Sequence, residues 1–210
     1  TVSIERKLGL HGSPTCVLSY GDSCGSVAYL VGEENEGLVY MFTMMNKSRL
    51  SVGVDGIALS ERAYQKALAY ARDRVQGNPP GHTEPGPILY HPDVRRMLML
   101  MRSCNEAMRA LAYCAAFVSD VARASRDQET RERAVVRLSV LTPIIKAWCS
   151  ELGQEMVSLG LQVHGGLGYI EETGVAQLLR DARITSIYEG TTGIQARDLI
   201  GRKLIDDGGQ

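Results

Sequence analysis

After residue 49 the sequence is dominated by apolar residues recurring at steps of three and four. Ile57, Tyr64, Leu68, Ala71 and Val75 form one stripe, which predicts an amphipathic helix running to about Gln76. A second stripe is longer: Val94, Met97, Met101, Cys104, Met108, Leu111, Ala115, Val118 and Ala122. It alternates threes and fours for about eight turns, the seam of an up-and-down bundle. Its start falls at Pro92 and Asp93, where proline is tolerated and a carboxylate suits the positive end of the helix dipole. A third stripe holds Ile145, Trp148, Leu152, Met156, Leu159 and Val163. Pro143 either kinks this helix or marks a new start with Thr142 as its cap. Shorter amphipathic stretches follow at Val175, Leu178, Leu179 and Ala182, and from about Thr191 to Leu204.

The punctuation agrees with this reading. Residues 77–87 carry four of the seven prolines and three glycines, so they form a loop. The polar residues 125–133 read as a turn, and the run from His164 to Gly168 ends the third helix. Residues 1–43 follow another pattern. Short apolar runs at 15–20, 26–31 and 38–42 alternate with Gly, Ser, Asp and Asn, which predicts three short strands. Three such strands are too few for a core of their own. The expected fold class is therefore mainly α, an up-and-down helical bundle over 44–206, with a β remnant at 1–43 and a tail at 207–210.

Composition narrows the function classes. Apolar residues at 44% and charged residues at 22% are ordinary for a globular protein. A net charge of −1 leaves no electrostatic footprint for nucleic acid or an anionic membrane. The five cysteines, Cys16, Cys24, Cys104, Cys114 and Cys149, are odd in number and have no close-paired motif, which argues for free thiols and a reducing compartment. No signal-peptide pattern opens the sequence, and the start at Thr1 inside a strand-like region suggests a processed or truncated piece of a longer protein. The histidines have no metal-ligand spacing, so no metal site is expected.

Two segments could carry chemistry. Gly165, Gly166 and Gly168 lack the full dinucleotide fingerprint and follow a helix rather than a strand, so they read as a helix C-cap or as a backbone that a ligand can approach, with Gln162 offering an amide beside them. The arginines Arg49, Arg74, Arg180 and Arg183 read as flanking helix ends, where they are solvated or bind a carboxylate, or, if paired with a glycine-rich turn, clamp a pyrophosphate. The denser segment is R-D-A-R-I-T-S-I-Y-E-G-T-T-G-I-Q, residues 180–195. Glu189 there follows Ile184 and Ile187. It is either a general base whose pKa apolar neighbours raise, or a carboxylate that simply enters the next helix.

The motif I-Y-E-G-T-T-G-I-Q, with L-Q-V-H-G-G-L-G-Y upstream and L-L-R-D-A-R-I between, resembles the C-terminal signature of the acyl-CoA dehydrogenase family. The likeness extends back through S-R-L-S-V-G-V-D-G-I-A-L and A-L-A-Y-A-R-D-R-V-Q-G, and K-L-G-L-H-G-S-P-T-C-V-L is similar to the end of that family's middle β domain. The resemblance implies that Glu189 is the base removing the α-proton of an acyl-CoA, while hydride leaves the β-carbon for FAD to give a trans-2-enoyl-CoA. It implies an oxyanion role for the Glu189 backbone N–H. Asn46, Arg49 and Gly190 match substrate-side positions. Arg74, Gln162, Val163, His164, Gly165, Gly166, Thr191, Thr192 and Gly193 match FAD-side positions, with the cofactor across a subunit interface. Implied partners are acyl-CoA, an electron-transfer flavoprotein and a second copy, as homodimer or homotetramer. The implied location is bacterial cytoplasm, or the mitochondrial matrix in a eukaryote.

Three departures stand out. Some family branches carry a base just before the arginine of the first bundle helix, where this chain has Ser48. Asn46 stands where many members have Asp, and the loop at 77–90 is longer and richer in proline than usual. That loop and the stretch M-F-T-M-M-N resemble the bacterial branch that includes 3-methylmercaptopropionyl-CoA dehydrogenase, which implies a short or heteroatom-bearing acyl chain. The rival readings are an acyl-CoA oxidase of the same fold and a non-catalytic helical assembly module.

Overall fold

The structure is a computed structural model that describes residues 1–206, so the expected tail at 207–210 lies outside it. Three long helices form the body: α1 (Gly37–Asp73), α2 (Pro92–Ala124) and α3 (Gln128–Val163). Two short ones follow, α4 (Val175–Arg183) and α5 (Thr192–Arg197), the latter continuing into a π-helical segment at Asp198–Asp206. The second stripe sits as its spacing predicts, with Met97, Met101, Met108, Ala115 and Val118 all buried. Met97 and Met101 pack in one patch with Ala63, Ala67, Met156 and Val157, and Met108 and Ala115 in another with Ile57, Ile145 and Cys149.

α1 and α3 run parallel in direct contact, and α2 runs antiparallel to α1. Gly53 abuts Ile145, Gly56 abuts Cys149, and Ala63 abuts Gly160. Ser60 on α1 donates to Asn105 on α2, both buried. A Cβ on Gly56 would lie 2.4 Å from the Cys149 carbonyl oxygen, and one on Gly153 2.7 Å from the Gly56 oxygen. Small residues therefore line this seam, and Trp148, which the third stripe places inward, is 40% exposed. The Gly56→Ala variant is expected to lose about 2 kcal/mol net, since overpacking by roughly 3 kcal/mol outweighs a helix-propensity gain of about 1 kcal/mol. Urea unfolding measures it, and an unchanged midpoint would show that the seam yields.

Several boundaries differ from the sequence expectation. Residues 38–42 are helix, not strand, because α1 begins at Gly37. A short apolar run is compatible with either state, and nothing between it and Gly53 breaks a helix. Arg49 thus lies well inside α1 rather than at its end. Of the strand expected at 15–20 only Cys16–Val17 pairs, antiparallel with Ser3–Ile4, and residues 26–31 form no strand. A strand needs a partner for its N–H and C=O groups, and the described residues offer none there. The polar stretch at 125–133 is mostly helix. Asp127 caps α3 by accepting from the Thr130 N–H at 2.9 Å, and Gln128 and Glu132 hydrogen-bond along the exposed face. Pro143 lies inside α3, and Thr142 bonds back to the Leu138 carbonyl at 2.8 Å instead of capping.

The amino-terminal segment docks on α4. The Leu10 N–H donates to Asp181 Oδ1 at 2.7 Å, and Gly9 lies against the Arg180 carbonyl so closely that a Cβ would come within 2.8 Å of it.

Candidate active site

The chain leaves a 3₁₀ turn at Ile184–Ser186 and enters α5 through a tight bend. Two successive residues of this bend are left-handed, Glu189 at φ +55° and Gly190 at φ +91°. A side chain at position 190 is excluded, because its Cβ would lie 2.7 Å from Gln195 Nε2. Glu189 has no such freedom, and a non-glycine residue there costs roughly 1 kcal/mol. Other contacts hold the bend in place. Arg49 Nε and Gln195 Nε2 each donate to the Glu189 carbonyl at 3.3 Å, and Gln195 Nε2 also donates to the Gly190 carbonyl at 3.1 Å. Thr191 caps α5 by accepting from the Ile194 N–H, and the Thr192 hydroxyl donates to Glu151 on α3. The Tyr188 hydroxyl donates to Asp55 at 3.2 Å, and burial pushes its pKa up to about 12. Among the described residues, the Glu189 N–H has no acceptor.

Arg49 is buried and pairs with Asp198 at 3.2 Å. It also lines two cavities, both shared with Phe42, Asp198 and Arg202. One, about 470 Å³, is lined by Gly190, Ile194, Phe42 and Met45. The other, about 530 Å³, includes Asn46, Leu138 and Thr142. The bend therefore presents a carboxylate, an uncommitted backbone donor and an adjoining hollow, the parts needed to take a proton and hold the negative charge it leaves.

The remaining candidates lie elsewhere. Arg74 is exposed one residue past α1, and Gln162, Gly165 and Gly166 are exposed at the end of α3. Gly165, at φ +57°, serves as the helix stop, and a Cβ on either glycine would meet nothing within 4 Å. Val163 and His164 face the core. His164 stacks on Tyr70 with ring centroids 4.6 Å apart, its Nδ1 lies 2.7 Å from the Gly160 carbonyl, and burial pushes its pKa down. Thr191, Thr192 and Gly193 belong to the bend, so the expected cofactor residues fall in two groups. Glu151, bonded to Thr192, precedes Gln162 by roughly 16 Å of helix.

Sequence reasoning missed Gln195, Asp198 and Lys146. Lys146 and Gln195 are polar residues that the structure buries, and Asp198 is a carboxylate that it leaves only partly exposed. Lys146 stands alone among the apolar residues of 143–149, which is a readable signal. Gln195 and Asp198 sit three apart beyond the cap at Thr191.

Residues 35–205 match the family model for the acyl-CoA dehydrogenase C-terminal domain. The chain belongs to the acyl-CoA dehydrogenase family. It is 54% identical over its full length to 3-methylmercaptopropionyl-CoA dehydrogenase of Ruegeria pomeroyi, covering 35% of that protein. Butyryl-CoA dehydrogenase of Syntrophomonas wolfei is 38% identical over 97% of the chain, again 35% of that protein. The solved structure of butyryl-CoA dehydrogenase from Megasphaera elsdenii matches with a TM-score of 0.78 at 30% identity, covering 96% of this chain and 48% of that one. The chain thus spans about a third of the length of these curated relatives.

Proposed function

We propose that this chain is part of an FAD-dependent acyl-CoA dehydrogenase that converts a short acyl-CoA, including sulfur-bearing ones, to the trans-2-enoyl-CoA. The observation that carries the reading is the clamped bend, with Glu189 in a left-handed conformation and Arg49 and Gln195 both on its carbonyl. The Glu189 carboxylate takes the α-proton. The Glu189 N–H receives the thioester oxygen as enolate charge develops, and the hollow beside Gly190 takes the acyl thioester. Arg49 and Gln195 keep carboxylate and N–H in register. Asn46 faces the neighbouring hollow with Arg49. The name and high identity of the Ruegeria relative support the substrate class.

The residues at the end of α3 fit FAD. Gly165 and Gly166 leave open space over their backbone, and Gln162 offers an exposed amide. These three and Arg74 would hold one part, Val163 and His164 contributing only backbone, while Thr191, Thr192 and Gly193 would hold another. When bound, FAD supplies the two-electron acceptor for the β-hydride. The split into two groups favours a cofactor shared between copies in a homodimer or homotetramer. An electron-transfer flavoprotein is the acceptor, and the cytoplasm of a bacterium is the location. Among the described residues no helix is long and apolar enough to cross a membrane.

Anaerobic addition of 3-methylmercaptopropionyl-CoA or butyryl-CoA to the intact flavin-loaded protein tests the reading. The expected result is bleaching of the flavin in one turnover and reoxidation by an electron-transfer flavoprotein. Rapid reoxidation by oxygen instead assigns the oxidase reading, and a colourless protein leaves the assembly module.

A further inference from the structure

Ser186 carries a buried hydroxyl just upstream of Glu189, and two donors from different helices converge on it. Gln154 on α3 donates from Nε2 at 2.7 Å, and Arg183 at the end of α4 donates from its guanidinium at 2.9 Å. A hydroxyl oxygen has two lone pairs, so Ser186 is filled as an acceptor. A buried polar group tied on both sides stiffens the backbone that carries it. Gln154 lies one turn from Glu151, so the two share a face of α3. Gln154 reaches the entry of the bend through Ser186, and Glu151 reaches its exit through Thr192. α3 therefore holds the bend at both feet.

The two feet act on different peptide groups. Arg49 and Gln195 donate to the Glu189 and Gly190 carbonyls, which belong to the peptides leaving those residues. The Glu189 N–H belongs to the peptide that enters residue 189, and the soft dihedrals of residue 189 lie between it and the clamped carbonyl. Its direction is set from upstream. The Ile184 carbonyl accepts from the Ile187 N–H at 2.8 Å and from the Tyr188 N–H at 3.0 Å. Thr185, also buried, donates its hydroxyl to the Ala182 carbonyl at 2.7 Å. The Tyr188 hydroxyl is tied to Asp55. These bonds run from α4 to the residue whose carbonyl carbon bears the Glu189 nitrogen, and Ser186 is where the run is fastened to α3.

We propose that Ser186 is a positioning residue that aims the Glu189 N–H at the thioester oxygen, with Gln154 and Arg183 as the donors that hold it. The inference rests on the dehydrogenase reading above. A donor stabilises developing enolate charge most when it already points at the oxygen and needs no reorganisation. Without the Ser186 acceptor the entering peptide turns more freely, while the Glu189 carbonyl stays clamped from the other side.

The test reads the substrate carbonyl itself. Crotonyl-CoA, carrying a carbon isotope label at the thioester carbonyl, is bound to the intact flavin-loaded protein, and its C=O band is recorded by isotope-edited infrared spectroscopy. In the wild type the band is expected below its position in free solution, as a polarised carbonyl requires. In Ser186→Ala most of that downshift is expected to be lost. Its kcat with butyryl-CoA is expected to fall by about 10–10²-fold with KM little changed, because a donor is mis-aimed rather than removed. In Ser186→Thr, which keeps the hydroxyl, the downshift is expected to return. An unmoved band in folded Ser186→Ala overturns the proposal. So does an equal loss of downshift in folded Ser186→Thr, since packing and not the hydroxyl then aims the donor. If Ser186→Ala does not fold, Gln154→Leu is read in the same way. If neither folds, the hydroxyl serves the fold and the proposal is overturned. A wild-type band without a downshift overturns it as well. Wild-type flavin that butyryl-CoA does not bleach defeats the dehydrogenase reading and this inference with it, a result distinct from an unmoved band.

Discussion

Glu189→Gln in the intact flavoprotein is expected to slow α-proton abstraction by about 10²–10⁴-fold while leaving fold and flavin content unchanged. The α-proton of a thioester is weakly acidic, so its removal needs a positioned base. Glutamine fills the same volume without a basic oxygen. The Arg49 and Gln195 contacts go to the backbone carbonyl of residue 189, not to the side chain, so the substitution leaves the bend held. The N–H also remains to receive the thioester oxygen. If Glu189 only entered a helix, its loss would cost a few tenths to about 1 kcal/mol and turnover would survive. The structure makes that alternative weaker on geometric grounds. Thr191, two residues later, is the cap of α5, and Glu189 lies in a left-handed bend outside its first turn. Stopped-flow flavin bleaching by butyryl-CoA decides between them, and near-normal bleaching in the variant at equal flavin content removes Glu189 from the chemistry.

What the sequence made legible, and what it hid, follows from the range of the interactions. The α2 seam was readable because its order is local: each of Met97, Met101 and Met108 is buried by the period of its own helix. The bend was readable as a candidate site because Glu189, Gly190 and Thr191 are adjacent in the chain, although the roles proposed for them came from resemblance to a family rather than from spacing. The residues at 38–42 and 128–133 were misread for opposite reasons. An apolar run with no period suits strand or helix, and a charged run looks like loop when it is only an exposed helix face. The inward-facing Trp148 expected from the third stripe failed because Gly53, Gly56 and Gly153 draw α1 onto a different face of α3. The clamp itself was hidden altogether. It joins Arg49 to a carbonyl 140 residues away, and no local pattern encodes such a contact.

That clamp is expected to govern both stability and function, and Arg49→Met separates the two. The Arg49 side chain is 5% exposed and Asp198 11% exposed, so the pair is nearly dry. Among the described residues, removing the guanidinium leaves the Asp198 carboxylate with only the more exposed Arg202 at 3.5 Å, and breaking a buried pair from one side costs about 3 kcal/mol. The Glu189 carbonyl loses a charge-assisted donor at the same time, leaving Gln195 alone to hold a left-handed non-glycine residue. Adding Asp198→Asn to Arg49→Met removes the unpaired carboxylate, so most of the lost stability is expected to return. The donor to the Glu189 carbonyl does not return, so α-proton abstraction should stay slow in the double variant. Thermal unfolding and single-turnover bleaching, measured on both variants, read the two effects independently. Recovery of turnover together with stability would mean that Arg49 acts on the reaction only by supporting the fold, and the bend would then need no clamp beyond Gln195.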